Sequence, residues 1–413
     1  MKSQLKKRKF IAKTLTTILF VSVFIVMDVF NLQSYTKVIS QNISTRFFSY
    51  YYPRTPDDIV VINTDENSTE YWPPSYRDYA QWLEYIADYK PRAVFFDINF
   101  IVREDPIFKS EFIDAIKYAK EKVTKTGGKI KIYGINVEDS NPEISDLLIP
   151  VSTRWEIEEG FYPTKNTDGI STAAFKIYHD LYQPYDGTFS LPMFIKWPSR
   201  PPKEILSAFA KFYRGLCLII SACNNEQDKI NYLDKFTTHE MYLTDELAQK
   251  KFGDRIVFFG SEREADKDFF PNPVYGQIPG VFAHAMALDN LIKYKDQYFK
   301  RDDSKPIILK LGSGGLIEII ILLFNFVFFL RFECTRKKIE NHKDIIKVRN
   351  HAFWYTTFCT FIIIFGILLS HIYLRNDPGN IIGLLATNLL FYEFIYFLIL
   401  SKLHFLFRSK GDN

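Results

Sequence analysis

The sequence predicts an α/β protein: a Rossmann-like, mostly parallel sheet with an inserted β segment forms one large outer domain, carried by four transmembrane α-helices. Three observations lead there. A strand–helix–strand unit runs from Asp57 to Phe100. Four apolar runs long enough to cross a bilayer lie toward the two ends of the 413-residue chain. Charge is segregated, with 34 Lys and Arg against 40 Asp and Glu between Asn31 and Pro306, and 18 against 8 elsewhere. The overall net charge of +4 therefore hides an acidic domain flanked by basic membrane borders. No basic stripe of the kind that binds nucleic acid is present.

Residues 1–9 are basic and free of acids, and they precede the first apolar run at 10–30. That run is long and lacks an Ala-x-Ala site after it, so it reads as an uncleaved anchor rather than a signal peptide. Residues 31–306 contain nothing apolar enough to span and form the outer domain.

Within that domain Ile59 to Thr64 is β-branched and apolar, as in a strand buried on both faces. From Tyr76 the period becomes helical: Tyr76, Tyr79, Ala80, Leu83, Ile86 and Ala87 share one face. Pro73 and Pro74 hold the entry open, and Pro91 stops the helix. Ala93 to Phe96 is the second strand, and a crossover of this length joins parallel strands. A helix is expected from Glu111 to about Lys125, ended by Gly127-Gly128, then a strand within Lys129 to Val137. Asn141 to Gln183 is turn-rich and reads as an inserted hairpin or edge. Pro202 to Asn224 reads as a helix; Cys217 and Cys223 on it, six residues apart, point to different sides and do not bridge. Arg255 to Phe259 is a late strand ending at Gly260-Ser261, and Gly280 to Tyr294 is the final helix.

The membrane then returns at 307–330. Residues 331–351 carry seven Lys/Arg against three acids, and spans at 352–374 and 381–401 are joined by a tight turn. The tail 402–413 is basic and too short for a catalytic domain. The positive-inside rule puts both termini and the basic loop in the cytoplasm and the large domain outside.

Two blocks carry a family resemblance: INTDENS…WPPSYRDYAQWLEYI…RAVFFDINF, and GDRIVFFGSEREADKDFFPNPVYGQIPGVFAHAMALDNLI from Gly253 to Ile292. Together they resemble the type-two CHASE domain, an extracytoplasmic sensor module of bacterial signalling proteins. The family's Asp-Gly pair, usually followed closely by Arg, stands here as Asp168-Gly169 followed by Ile170, Ser171 and Thr172. The resemblance implies a sensor in the bacterial inner membrane with a large periplasmic domain. Its expected partners are the lipid membrane, a small-molecule or protein ligand in the periplasm, and a separate signalling partner or a second copy of the chain.

Asp65 and Asp97 each close a strand, and the βαβ reading puts them on neighbouring parallel strands at the carboxyl edge, where such sheets bind ligands. Asp268 and Ser261 follow the late strand. Asp65, Arg77, Asp97, Ser261 and Asp268 are thus the candidate ligand-binding set, with Arg77 as a clamp for a carboxylate or phosphate. The competing reading makes the acids loop caps, or partners of Arg77 and Arg92. His284 reads as a satisfied core histidine. Glu318 and Glu393 lie near the middle of two spans, where a carboxylate must be protonated or paired, as an interhelical hydrogen bond or as part of a proton or signalling path. Gly312, Ser313 and Gly315 provide a small-residue face for helix packing. No P-loop, HExxH, Gly-x-Ser-x-Gly or Cys/His zinc pattern occurs, so no catalytic residue, cofactor or metal is assigned. The alternatives are a metal-assisted hydrolase using Asp65 and Asp97, or a structural part of an envelope assembly.

Overall fold

The computed structural model describes residues 58–65, 73–101, 106–135, 139–153, 162–182, 233–263 and 268–298, with short pieces at 42–49 and 192–197 and parts of 350–365. The chain divides into two compact units, Ile43–Asp303 and a second made of Met1–Asn42 with Ser304–Asn413. Among the described residues no helix is long and apolar enough to cross a membrane. The apolar runs 10–30, 307–330 and 381–401, with Glu318 and Glu393, lie outside the described residues, as does the helix expected at Pro202 to Asn224 with its two cysteines. Of the run 352–374, only 353–358, 360–361 and 365 are described, and they are helical.

The unit Ile43–Asp303 is built on a six-stranded sheet. β1 is Ile59–Thr64, β2 Ala93–Phe96, β3 Lys131–Ile135, β4 Ile149–Val151, β5 Asp234–Thr237 and β6 Ile256–Ser261. Their order is β4-β3-β2-β6-β1-β5, and every pairing is parallel. β1 and β2 are wholly buried, as expected of strands covered on both faces. The second, two-stranded sheet is an antiparallel hairpin, β7 (Phe269–Asn272) with β8 (Gly276–Pro279).

One face of the sheet is covered by α1 (Tyr76–Asp88), α2 (Pro106–Glu121), the single turn α3 (Pro142–Ser145) and, from later in the chain, α5 (Asp245–Phe252). Ser75 caps α1 through a reciprocal box with Asp78: its hydroxyl accepts from the Asp78 N–H, and its own N–H donates to the carboxylate. On this face the Phe96 and Phe259 rings stack at 5.0 Å. The other face is covered by α4 (Ala173–Tyr182) and α6 (Gly280–Tyr294). α6 is buried from Val281 to Leu291 without a break, which makes it the core helix of the unit.

Three expectations need correction. β6 lies between β1 and β2, so the two strands of the βαβ unit are not neighbours. Two spacings of about 4.8 Å separate them. The stretch read as an inserted hairpin or edge does supply an edge strand, β4, paired parallel to β3, and an antiparallel bridge between Lys165 and Ser171, but it also contains a helix, α4, that the reading lacked. α2 begins at Pro106 rather than Glu111, because Pro is accepted at a first helical position, and it ends before Lys122.

α6 crosses the sheet at Gly260, where an added Cβ would fall on the Val281 side chain. Overpacking of that kind costs about 1–3 kcal/mol. Gly260→Ala should therefore lower Tm, and adding Val281→Ala should recover part of the loss. Additive losses in thermal melts would show that the two positions do not share one contact.

Candidate functional site

Strand register decides which acids meet. The N–H of Asp97 donates to the Phe259 carbonyl at 2.7 Å, which continues the β2–β6 ladder one residue past its end. Side chains alternate along a strand, so Asp97 lies on the face shared by Ala93 and Phe95, beneath α6. Its side chain is 6% exposed, and its Oδ2 has no hydrogen-bond partner. Nε2 of His284 lies 3.7 Å from Oδ2, which is too long for a hydrogen bond.

His284 is held from its other side. Its Nδ1 lies 2.6 Å from the Tyr162 hydroxyl. Tyr162 is fixed by reciprocal backbone bonds with Met193, at 2.7 and 2.8 Å. Its oxygen also accepts the N–H of Ala174, satisfying one of the open donors in the first turn of α4. One tyrosine hydroxyl thus joins the start of α4 to the ring of His284, and that ring faces Asp97.

Asp268 completes the group from outside. Its carbonyl accepts the N–H of Gly280, the first residue of α6, at 2.8 Å. Its carboxylate lies against the Gly280 Cα, where a Cβ would meet Oδ1 at 2.5 Å. Gly280 is the residue that lets this acid sit at the start of the helix, where the macrodipole favours negative charge. Asp268 is exposed and Asp97 is buried, so the cluster runs from the surface inward.

The electrostatics follow from burial. Desolvation pushes the Asp97 carboxyl well above the usual carboxylate range, and the like charge of Asp268 adds to that. Burial drives His284 the other way, down to about 3. Burial also raises the Tyr162 hydroxyl above its ordinary value.

The other candidates lie elsewhere. Asp65 follows β1, across β6 from Asp97 and one step beyond Thr64, which is in register with Ser261. Next to it, buried Asn63 donates to Glu262 at 3.1 Å. Ser261 falls on the opposite face from Gly260, and its hydroxyl accepts the Arg263 N–H at 3.3 Å. Arg77 is on α1, over the far face of the sheet. It grips Glu111 of α2 with two bonds of 2.8 Å and lies 4.1 Å from the Phe108 ring centre. Arg92 pairs with Asp58 and Asp254. The structure therefore brings His284, and behind it Tyr162, to Asp97, while Asp268 lies near enough for its charge to act on Asp97. Nothing in the sequence marked Tyr162; the Pro279-Gly280 start of α6, with His284 one turn on, was the signal available for the histidine. No group of three metal-ligating side chains occurs among the described residues.

A parallel sheet with helices on both faces, and a polar cluster at its carboxyl edge, defines a doubly wound α/β domain of the ligand-binding kind. The CHASE2 domain family matches residues 16–327, and the chain belongs to that family, whose members are extracytoplasmic sensory domains. No curated protein and no solved structure matches the chain.

The opposed shifts set a pH signature. A raised carboxyl is bound to its proton more tightly in the folded state, so Asp97 lowers stability as pH rises from 3.8 through its folded value. A depressed imidazole resists protonation, so His284 lowers stability as pH falls from 6.5 toward about 3. Asp97→Asn should gain on the wild type along the alkaline limb, and His284→Gln along the acid limb, each by at most about 1.4 kcal/mol per pH unit. Thermal melts giving parallel curves would contradict both. Arg77→Ala, which removes an exposed ion pair, should cost less than about 1 kcal/mol.

Proposed function

We propose that the protein is a multi-pass sensor of the bacterial inner membrane, whose periplasmic domain responds at the Asp97–His284 cluster and relays the signal through its membrane helices to a separate partner. One observation carries this reading. His284, which faces the buried acid, lies in α6, the last α-helix described in the unit Ile43–Asp303, and 13 residues after Tyr294 the apolar run at 307 begins. A change at the cluster therefore acts on the element that leads into the next predicted span.

Membrane anchoring draws support from the sequence and from one helix. The family match begins inside the run 10–30 and ends inside 307–330. Phe353, Trp354, Phe358, Phe361 and Phe365, within the predicted span 352–374, are each more than half exposed, an aromatic surface suited to lipid. The basic segment 331–351 is the natural contact for a cytoplasmic partner. The protein is proposed to signal without turnover of its own. A hydrolase using Asp65 and Asp97 together is disfavoured, because β6 separates the two acids by two strand spacings.

Topology tests the reading directly. A reporter that works only in the cytoplasm should be active when fused after Asn413, and one that works only in the periplasm when inserted near Asn141. The opposite result at either site contradicts the four-span arrangement. Detergent-solubilised protein should capture a partner through residues 331–351, and nucleotide turnover that persists through stringent purification would overturn the relay.

A further inference from the structure

The proposed function leaves open what the cluster detects. Resting on that reading, we propose that it detects the proton itself: one proton, shared between Asp97 Oδ2 and His284 Nε2, closes their gap and ties the end of β2 to α6, and its loss releases the helix.

The geometry favours a proton over a larger ligand. Asp97 Oδ2 is buried and has no hydrogen-bond partner, a condition that costs stability until a donor arrives. At 3.7 Å from Nε2 it needs a shift of less than about 1 Å to make a bond of normal length. An atom with almost no solvent-accessible surface has room for a proton but not for an ion that keeps its hydration shell. Among the described residues no three metal-ligating side chains stand close enough together to hold a cation, Asp268 included.

The proton balance is simple. Unloaded, the pair is a carboxylate facing the bare Nε2 lone pair of a neutral imidazole whose one N–H sits on Nδ1, toward Tyr162. Loaded, Oδ2–H donates to Nε2 and Nδ1–H donates to the Tyr162 oxygen, whose second lone pair already takes the Ala174 N–H. The pair passes from one negative charge to none. The surrounding elements set its affinity. The segment leading into β7 brings Asp268, whose negative charge favours the loaded form. β6 brings Gly260, and beyond it Glu262, held by Asn63 of β1, and Arg263. On the same face β3 brings Tyr133 and α4 brings Asp180, which are bonded to each other, with Lys176 and His179 on the same carboxylate. Acid conditions therefore lock α6 to the sheet. Alkaline conditions leave two carboxylates, Asp97 and Asp268, at the start of α6 without the proton that screens them.

Infrared difference spectra of the full-length protein in detergent, recorded through a pH titration, test this. A protonated-carboxyl band should disappear at a pH above the ordinary carboxylate range, and Asp97→Asn should abolish it. Asp268→Asn should shift its midpoint to lower pH, because the like charge is gone. Hydrogen exchange at residues 280–294, corrected for intrinsic rates, should quicken across the same midpoint in the wild type. If Asp97→Asn does not fold, the wild-type midpoint and its shift in Asp268→Asn still decide. The proposal is overturned if the band survives Asp97→Asn, if its midpoint lies in the ordinary carboxylate range, or if Asp268→Asn leaves it unmoved. It is equally overturned if the midpoint moves with Mg2+ or Ca2+ at constant ionic strength, which would make the cluster a cation site. Reporter topology and partner capture do not depend on this titration, so failure of the sensor reading is seen separately.

Discussion

The close contact between α6 and the carboxyl edge of the sheet is the constraint on which the rest of the structure depends. Gly260 admits Val281 because it has no side chain, and Gly280 admits the Asp268 carboxylate for the same reason. With the helix held that near, the next turn brings His284 over Asp97, at a depth where both side chains are almost wholly buried. A buried carboxyl, a neutral imidazole and a tyrosine hydroxyl then follow as consequences of packing. Their protonation states are set by desolvation more than by pairing.

Such an arrangement is costly, and the cost is informative. A fully apolar contact at this point would hold α6 at least as firmly. The cluster instead places a titratable acid and an unsatisfied oxygen where the domain's last helix begins. An element near balance between two states is what a sensor needs, since a ligand shifts an equilibrium only by its difference in affinity for them. The Asp97–His284 contact joins the end of β2 to α6 and, through the Tyr162 hydroxyl, to the first turn of α4, so a change there reaches both the sheet and the two helices that cover that face.

Much of the fold was legible in the sequence, for identifiable reasons. β1, α1 and β2 were read from two-sided apolar strands and one strict helical period, and the bounds Ile59–Thr64, Ala93–Phe96 and Gly280–Tyr294 were found as expected. The position of β6 was not legible, because the pairing of strands far apart in sequence leaves no local mark. That missing fact is why Asp65 and Asp97 were expected to converge. α4 carries Ala173, Ala174, Ile177 and Tyr178 at helical spacing, but it follows Asp168-Gly169 and Ser171-Thr172, whose turn chemistry hid it. β5 is a four-residue edge strand, Asp-Lys-Phe-Thr, with neither alternation nor length to announce it. His284 read as a core residue because it sits on or near the apolar face of the final helix; it is a core residue, buried along with every other residue from Val281 to Leu291, and it faces the acid as well.

The central claim is that Asp97 and His284 act as one unit linking sheet and helix. A double-mutant cycle on Asp97→Asn and His284→Gln, with stability measured by denaturant unfolding at neutral pH, tests it most directly. Coupling predicts that the double variant departs from the sum of the single changes by at least about 1 kcal/mol. Additivity within about 0.3–0.5 kcal/mol, the behaviour of independent sites, would contradict the account.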